Sequence, residues 1–333
     1  MIFPSFIEEV TIKEFKGIRQ TKDVIKLTKF NVLIGRNNSG KTSLLEALAL
    51  SPVPWADIPL IGGERRRYFA EKIHNDTSMK CFSYKYYGEA EIQLKILGKN
   101  VVIRIGGEAG SGEVKLNEGK YSSSNFSEYV RALGLEDNFM NAVILIPNSD
   151  VFLSELKRSL AQSSNWFIVE KTKAHNKIMV EVINKCVDEE FTEVIVRFNE
   201  LYARKQYPDG TSAYIRVSDL GDGVERALTT LLWLEAIKPK LVLWDDFEAS
   251  MHPTLAKATI EWLANKDWQV VMATHSIDVL SQLLEVKPKD MQVLLLSKSP
   301  DDVLYTKRLS LEELENIIEA NQDPRLLVDL LKL

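Results

Sequence analysis

The chain has 333 residues, 45% of them apolar and 27% charged, with a formal net charge of −5. Its length and apolar content suffice for one large domain or two ordinary ones and exclude a disordered chain. The acidic balance gives no long-range pull on nucleic acid or an anionic membrane, so any nucleic-acid contact must be a local patch.

The start, MIFPSFIEEV, lacks a basic stretch followed by a long apolar one, and no segment approaches 18 consecutive apolar residues. Cys81 and Cys186 show no pairing pattern and stand beside no histidine cluster, which fits a reducing compartment and argues against structural zinc. The expectation is a soluble cytoplasmic protein without a membrane partner.

From Phe6 the sequence alternates like strands and closes on the unbroken apolar run FNVLI, the pattern of a strand buried on both faces. Lys41 opens a helix with Leu44, Leu45, Leu48 and Ala49 on one face, and the three prolines of SPVPWADIP stop it. GGERRRYFAEKIH reads as a short basic helix, and EAEIQLKILGKNVVIRI as a hairpin turning at Gly98, Lys99 and Asn100. GGEAGSGE and KYSSSN are loop-like.

AVILIP is a short strand, followed by a mainly helical stretch over about 151–187. There Ile178, Val182 and Cys186 form one stripe with Met179, Ile183 and Val187 beside it, too short for a coiled-coil arm. Strand-like FTEVIVRFNELYARKQ and SAYIRV flank the turn YPDGT. SDLGDGVERALTTLLWLEAI is a loop running into a helix at about Val224. A strand (241–245), a helix (about 254–264), strand QVVMATHS, helix IDVLSQLLEV, strand MQVLLLS and a helical tail complete the chain. Such alternation means a parallel sheet covered by helices.

GRNNSGKT, residues 35–42, satisfies G-x-x-x-x-G-K-[ST] between an apolar strand and an apolar-faced helix. Gly35 and Gly40 let the backbone of Arg36, Asn37, Asn38 and Ser39 turn its N–H groups toward phosphate oxygens, helped by the positive end of the helix at Lys41, Thr42 and Ser43. Lys41 supplies a charge for the outer phosphates, and the Thr42 hydroxyl can bind Mg²⁺. Asp245 and Asp246 end the apolar run LVLW, either as a metal and water site or as the polar exit of a core strand. The glycines of LGDG, Gly221 and Gly223, open another helix and offer further free N–H groups, or form a simple helix start.

TIKEFKGIRQ…IKLTKFNVLIGRNNSGKTSLLEAL, with its Glu46-Ala47 pair, resembles the amino-terminal signature of the RecF, OLD and SMC-like branch of ABC-type ATPases. SDLGDGVER then falls where the ABC signature would stand, LVLWDDFEASMHP where the second Walker motif would stand, and VVMATHS where the switch histidine would stand. The resemblance covers roughly the first 50 residues and about 215–280.

It implies an α/β P-loop NTPase, an ABC-type head whose mixed or parallel sheet is flanked by helices, with an antiparallel β subdomain and a helical insertion. The head would be one domain, 1–333. Its nucleotide-binding core would be 1–50 and 215–310, with an inserted β subdomain and helical lobe over 51–214 and a helical tail over 311–333.

The resemblance also implies a homodimer closing around two ATP and Mg²⁺. Asp245 would support Mg²⁺ opposite Thr42, and His275 would sense the γ-phosphate. Asp246 stands where the family places a glutamate that polarises the attacking water, and is one methylene shorter; Glu248 is a candidate substitute. Gly221 stands where the signature serine usually stands, with Ser218 as a replacement hydroxyl. His252 would shape the dimer-facing turn. Asn148 and Ser149 fall by order where the Mg²⁺-sensing glutamine would be.

Long coiled-coil arms are lacking, and the short stretch after His275 leaves no room for a nuclease domain of ordinary size. The leading expectation is an ATPase driving DNA repair, genome maintenance or defence against mobile elements. The alternative is a slow or non-hydrolysing switch that binds a partner protein. A transporter subunit fares worse, because an L-S-G-G-Q signature is absent. Arg65, Arg66 and Arg67, beside Tyr68 and Phe69, form either a local DNA-phosphate contact or a solvated helix face.

Overall fold

The run FNVLI forms a central strand with every residue buried, as its unbroken apolar character requires. The computed structural model describes residues 5–106, 112–117, 119–122, 124–135 and 139–331. Met1–Pro4 and residues 107–111 of the glycine-rich loop lie outside the described residues, as does Ser123 of KYSSSN.

The first elements are β1 (Ile7–Phe15), β2 (Ile18–Thr21), β3 (Ile25–Lys26), β4 (Phe30–Gly35) and α1 (Lys41–Ala49). The middle of the chain supplies α2 (Arg65–Tyr68), β5 (Glu89–Ile96), β6 (Lys99–Gly106), β7 (Gly112–Leu116), β8 (Gly119–Tyr121), α3 (Phe126–Leu133), β9 (Val143–Ile146), α4 (Asp150–Leu160), α5 (Ser163–Lys171), α6 (Ala174–Glu181), β10 (Glu193–Arg197), β11 (Glu200–Gln206) and β12 (Ser212–Arg216). The rest is α7 (Asp222–Ile237), β13 (Leu241–Trp244), α8 (Pro253–Ala264), β14 (Gln269–Ala273), α9 (Ile277–Val286), β15 (Met291–Lys298), β16 (Val303–Leu309) and α10 (Leu311–Glu319).

Thirteen strands join one mixed sheet in the order β8-β7-β6-β5-β1-β2-β16-β15-β4-β14-β13-β9, with β3 on β1. Its parallel half is β15-β4-β14-β13-β9, each neighbour hydrogen-bonded in parallel register. The antiparallel strands β5–β8 extend this same sheet through β1. β9, although it lies within residues 51–214, is the edge strand of the parallel half. The α/β P-loop architecture with a mixed sheet and flanking helices is thus the one expected from the motif order. α1 packs on β4, β9, β13 and β14, while α7 packs against α4, α5 and α6.

Two buried amides stitch the parallel half together. Asn31 donates to the carbonyls of Thr28 and Val270 at 2.8 and 3.0 Å and accepts from Gln292 at 2.7 Å. Gln269 accepts from the Ile7 N–H and donates to the Ile7 and Thr28 carbonyls. Each is a fully engaged polar group in the core, as burial demands.

Four local readings change. The β5–β6 hairpin turns at Leu97 and Gly98, whose φ of 49° and 76° form a two-residue turn, and Lys99 and Asn100 are already in the strand. FTEVIVRFNELYARKQ is two strands turning at Phe198 and Asn199, φ 51° and 59°. The helix after LGDG begins at Asp222. Between MQVLLLS and the tail runs β16, antiparallel to β15 and parallel to β2, where a helical tail alone was expected.

The Arg65–Arg67 patch is the largest correction. Arg65 is 2% exposed and donates to the carbonyls of Ala49, Ser51, Met140 and Val143, at 2.9 to 3.1 Å, so it staples the end of α1 to β9. Arg66 is buried against Glu64, and exposed Arg67 faces Glu71 at 3.8 Å. The run is largely an internal brace and does not form a DNA-contacting surface. Among the described residues no helix is long and apolar enough to cross a membrane.

Candidate functional site

The chemistry-bearing residues gather at the carboxyl ends of the parallel strands, where open α/β sheets place their ligand sites. β4 delivers the phosphate loop, β13 delivers Asp245 and Asp246, β14 delivers His275 and β9 delivers Asn148. A cleft of about 330 Å³ is lined by Asn37, Asn38, Ser39, Gly40, Lys41, Thr42 and Ser43 together with Asp246 and His275.

The loop needs its glycines. A Cβ on Gly35 would lie 2.5 Å from the Leu296 carbonyl oxygen and 2.6 Å from Ser39 Oγ, and Gly40 caps α1 at φ 99°. Lys41 Nζ bridges the loop by donating to the Gly35 and Arg36 carbonyls at 3.0 and 3.1 Å. Burial holds its pKa below the ordinary lysine value, against the pull of Asp245, Asp246 and Glu248. Ser39 Oγ is buried without a hydrogen-bond partner, a polar atom facing the loop interior.

Thr42 Oγ1 donates to Asp245 Oδ2 at 2.8 Å. Burial raises the Asp245 pKa to about 6, with the Thr42 bond opposing and the nearby Asp246 and Glu46 charges reinforcing. Its other oxygen, Oδ1, is buried and lacks a hydrogen-bond partner. A hydroxyl beside a carboxylate with one unengaged oxygen is a hard, oxygen-only donor pair, which fits Mg²⁺.

Asp246 adopts a left-handed backbone, φ 44°. Asn148 Nδ2 donates to its Oδ2 at 3.0 Å, and His275 Nε2 lies 3.9 Å from its Oδ1. Asn148 therefore reaches the site, whereas Ser149 caps α4 by accepting from the Phe152 N–H. Glu248 Oε1 accepts from the His275 N–H at 2.7 Å, while its Oε2 is buried without a hydrogen-bond partner. Burial and the Lys41 charge hold the His275 pKa below the ordinary histidine value, against the pull of Asp246 and Glu248, which favours the neutral imidazole. His252 caps α8, its Nδ1 accepting from the Thr254 N–H.

Ser218 and Gly221, expected to act across a dimer, are not among the residues that line this cleft. Ser218 and Gly221 are exposed, and Gly221 caps α7 with φ 93°. A Cβ at Gly223 would collide with the Ser250 carbonyl oxygen, so the start of α7 lies against the loop that follows the aspartates.

Several residues in the neighbourhood escaped the sequence reading. Glu46 is buried under a Lys16 ammonium at 2.7 Å and His74 Nε2 at 2.9 Å; burial works against its ionisation, but these two partners hold its pKa below the ordinary value. Above them opens a second cleft of about 680 Å³ that adjoins the phosphate loop at Asn38 and holds Lys16, His74, Tyr84, Tyr86 and Lys298. Arg226, buried on α7, donates to the Pro147 carbonyl and lies within reach of the Asp245 and Asp246 charges. Only Glu46 and Lys16 left a trace in the sequence, in the segment that resembles the family signature.

Residues 6–52 match the model of the AAA ATPase domain, and residues 124–281 match that of "AAA domain, putative AbiEii toxin, Type IV TA system". The chain is 26% identical over 299 residues to the Septu protein PtuA of Bacillus mycoides, covering 81% of this chain and 38% of that protein. It thus spans well under half the length of that relative. Among solved structures, an SMC head bound to the C-winged helix domain of ScpA aligns with TM-score 0.63 at 18% identity, over 93% of this chain and 99% of that one. The recombination mediator RecF aligns with TM-score 0.52 at 12% identity, over 92% and 99%. In fold the chain is similar to SMC heads and RecF, and two of its segments match AAA-type ATPase domain models.

Proposed function

We propose that this head binds ATP with Mg²⁺ in the cleft at Lys41, hydrolyses it, and closes head to tail as a homodimer. The observation that carries the reading is the convergence of the phosphate loop, Asp246 and His275 on one cleft whose lining includes neither Ser218 nor Gly221, both of them exposed. A loop with free N–H groups, outside the lining of its own phosphate site, suits a γ-phosphate presented by a second copy.

The loop N–H groups and Lys41 would hold the phosphates, releasing Lys41 from its two carbonyls. Mg²⁺, when bound by Thr42 and Asp245, would neutralise phosphate charge. Asp246 would accept the proton of the attacking water, oriented by Asn148, and neutral His275 would donate toward the γ-phosphate. The cleft at Lys16, His74 and Tyr86 offers room for the base and ribose beside the loop.

The shortness of Asp246 relative to glutamate favours slow turnover and keeps a second reading, a switch that binds ATP and engages a partner protein. The likeness of residues 124–281 to an AAA domain described as a putative AbiEii toxin of a type IV TA system favours defence against mobile elements over DNA repair among the processes such a head could drive. The test is phosphate release from ATP with the unmodified chain and with Lys41→Ala. Release that depends on Lys41 and rises with the square of protein concentration supports the dimeric ATPase. Binding without release leaves the switch, and no binding refutes both.

A further inference from the structure

The backbone of His275 is held by two side chains from distant parts of the chain. Its N–H donates to Glu248 Oε1 at 2.7 Å, and its carbonyl accepts from Arg325 Nη1 at 2.6 Å. Arg325 is itself fixed, because Nε donates to both carboxylate oxygens of Asp323 at 2.8 and 3.0 Å and Nη2 donates to Oδ2 at 2.6 Å. Asp323 and Arg325 sit at the start of a C-terminal 3₁₀ segment, Pro324–Leu331, that packs on β4 and β15.

His275 lies between the end of β14 at Ala273 and the cap of α9 at Ser276, outside both regular elements. Neither of its backbone groups is used by strand or helix, so side chains define where the residue sits. A guanidinium with a bidentate acid partner is a rigid donor and loses little freedom in making such a bond. The imidazole projects from this clamped backbone, 39% exposed, toward Asp246. Small displacements of a group that must meet a phosphate oxygen are costly in rate.

We infer that Arg325, held by Asp323, is a positioning residue for His275: together with Glu248 it clamps the His275 backbone and so aims the imidazole at the phosphate end of the cleft. The inference rests on the ATPase reading for its kinetic consequence and on geometry alone for the clamp. It makes the C-terminal segment part of the site's scaffold, and it gives Glu248 Oε1 a place in the clamp.

The test uses the full chain with Arg325→Ala, Arg325→Lys and Asp323→Asn. In nucleotide-free protein, hydrogen exchange over residues 273–278 is expected to rise at least about tenfold in Arg325→Ala with the rest of the sheet unchanged, less in Arg325→Lys. In hydrolysis, Arg325→Ala is expected to lower kcat about tenfold with KM nearly constant, and to add nothing further in a His275→Ala background. Unaltered exchange over 273–278, or a kcat loss that multiplies with that of His275→Ala, would overturn the inference. Should Arg325→Ala not fold, the Lys and Asn variants carry the same comparison. If the unmodified chain does not hydrolyse ATP, the proposed function fails, and the exchange result alone decides the clamp.

Discussion

Thr42 Oγ1 and Asp245 Oδ2 are hydrogen-bonded at 2.8 Å, joining the residue after the phosphate-loop lysine to the carboxylate at the end of β13, two strands away. The bond leaves Asp245 Oδ1 buried and unengaged beside a hydroxyl. The site is therefore organised before any ligand arrives, and it retains a carboxylate that is costly to ionise.

That cost has a sign. Burial raises the Asp245 pKa to about 6, so between the ordinary aspartate range and that value the folded chain holds more protons than the unfolded one. Stability contributed at this site falls as pH rises through that window and stays lower above it. Asp245→Asn is expected to equal the unmodified protein at pH 4 and to exceed it by about 1–3 kcal/mol at pH 8, in urea denaturation without nucleotide or Mg²⁺.

The same carboxylate should govern metal-dependent binding. Mg²⁺ requires the ionised form, so Mg²⁺-dependent ATP affinity is expected to fall about tenfold per unit as pH drops below about 6. Titration calorimetry between pH 5 and 8 reads this directly. In Asp245→Asn, both the Mg²⁺ dependence and its pH dependence are expected to vanish.

Asp246 and Asn148 act on the attacking water in this account. Asp246→Asn is expected to slow hydrolysis by about 10²–10⁴ while ATP still binds. Asn148→Ala, which removes the 3.0 Å bond to Asp246, is expected to lower kcat by about tenfold with a smaller change in KM. Steady-state phosphate release measures both.

Arg65 and Arg67 separate structure from surface. Arg65→Met strands four carbonyls around a buried site and is expected to destabilise the chain by at least about 2 kcal/mol in urea denaturation. Arg67→Ala, at an exposed position, is expected to change stability by less than about 0.5 kcal/mol.

That the phosphate loop, Asp246 and His275 would gather was legible because each is a local pattern tied to a strand end, and a parallel sheet brings strand ends together. Asn148 could be placed only by order, and the structure bonds it to Asp246. What stayed hidden depends on partners far along the chain. RRR in isolation looks like a basic surface, and nothing local reveals that Arg65 meets carbonyls from α1 and β9. The Glu46 partners and Arg325 are equally non-local, lying 28 to 50 residues from the groups they hold. β16 was missed because VLYTKRL has a weakly apolar pattern that its two sheet neighbours override. The turns at Leu97 and Phe198 defied expectation because non-glycine residues occupy left-handed positions there.

The start of α7 bears on closure. Gly223, in the first turn of α7, has no room for a Cβ against the Ser250 carbonyl, so Gly223→Ala should displace the start of α7 and the exposed Ser218–Gly221 segment before it. ATP binding measured calorimetrically is expected to persist in this variant, while concentration-dependent hydrolysis is expected to drop about tenfold or more.

Sedimentation velocity of Asp246→Asn with saturating ATP and Mg²⁺ tests the account most directly, because slow turnover traps whatever state ATP stabilises. A particle of twice the 37.9 kDa chain mass is expected with ATP, and a single chain with ADP or when Lys41→Ala is added. A 37.9 kDa particle at saturating ATP, with nucleotide shown to be bound, would contradict it.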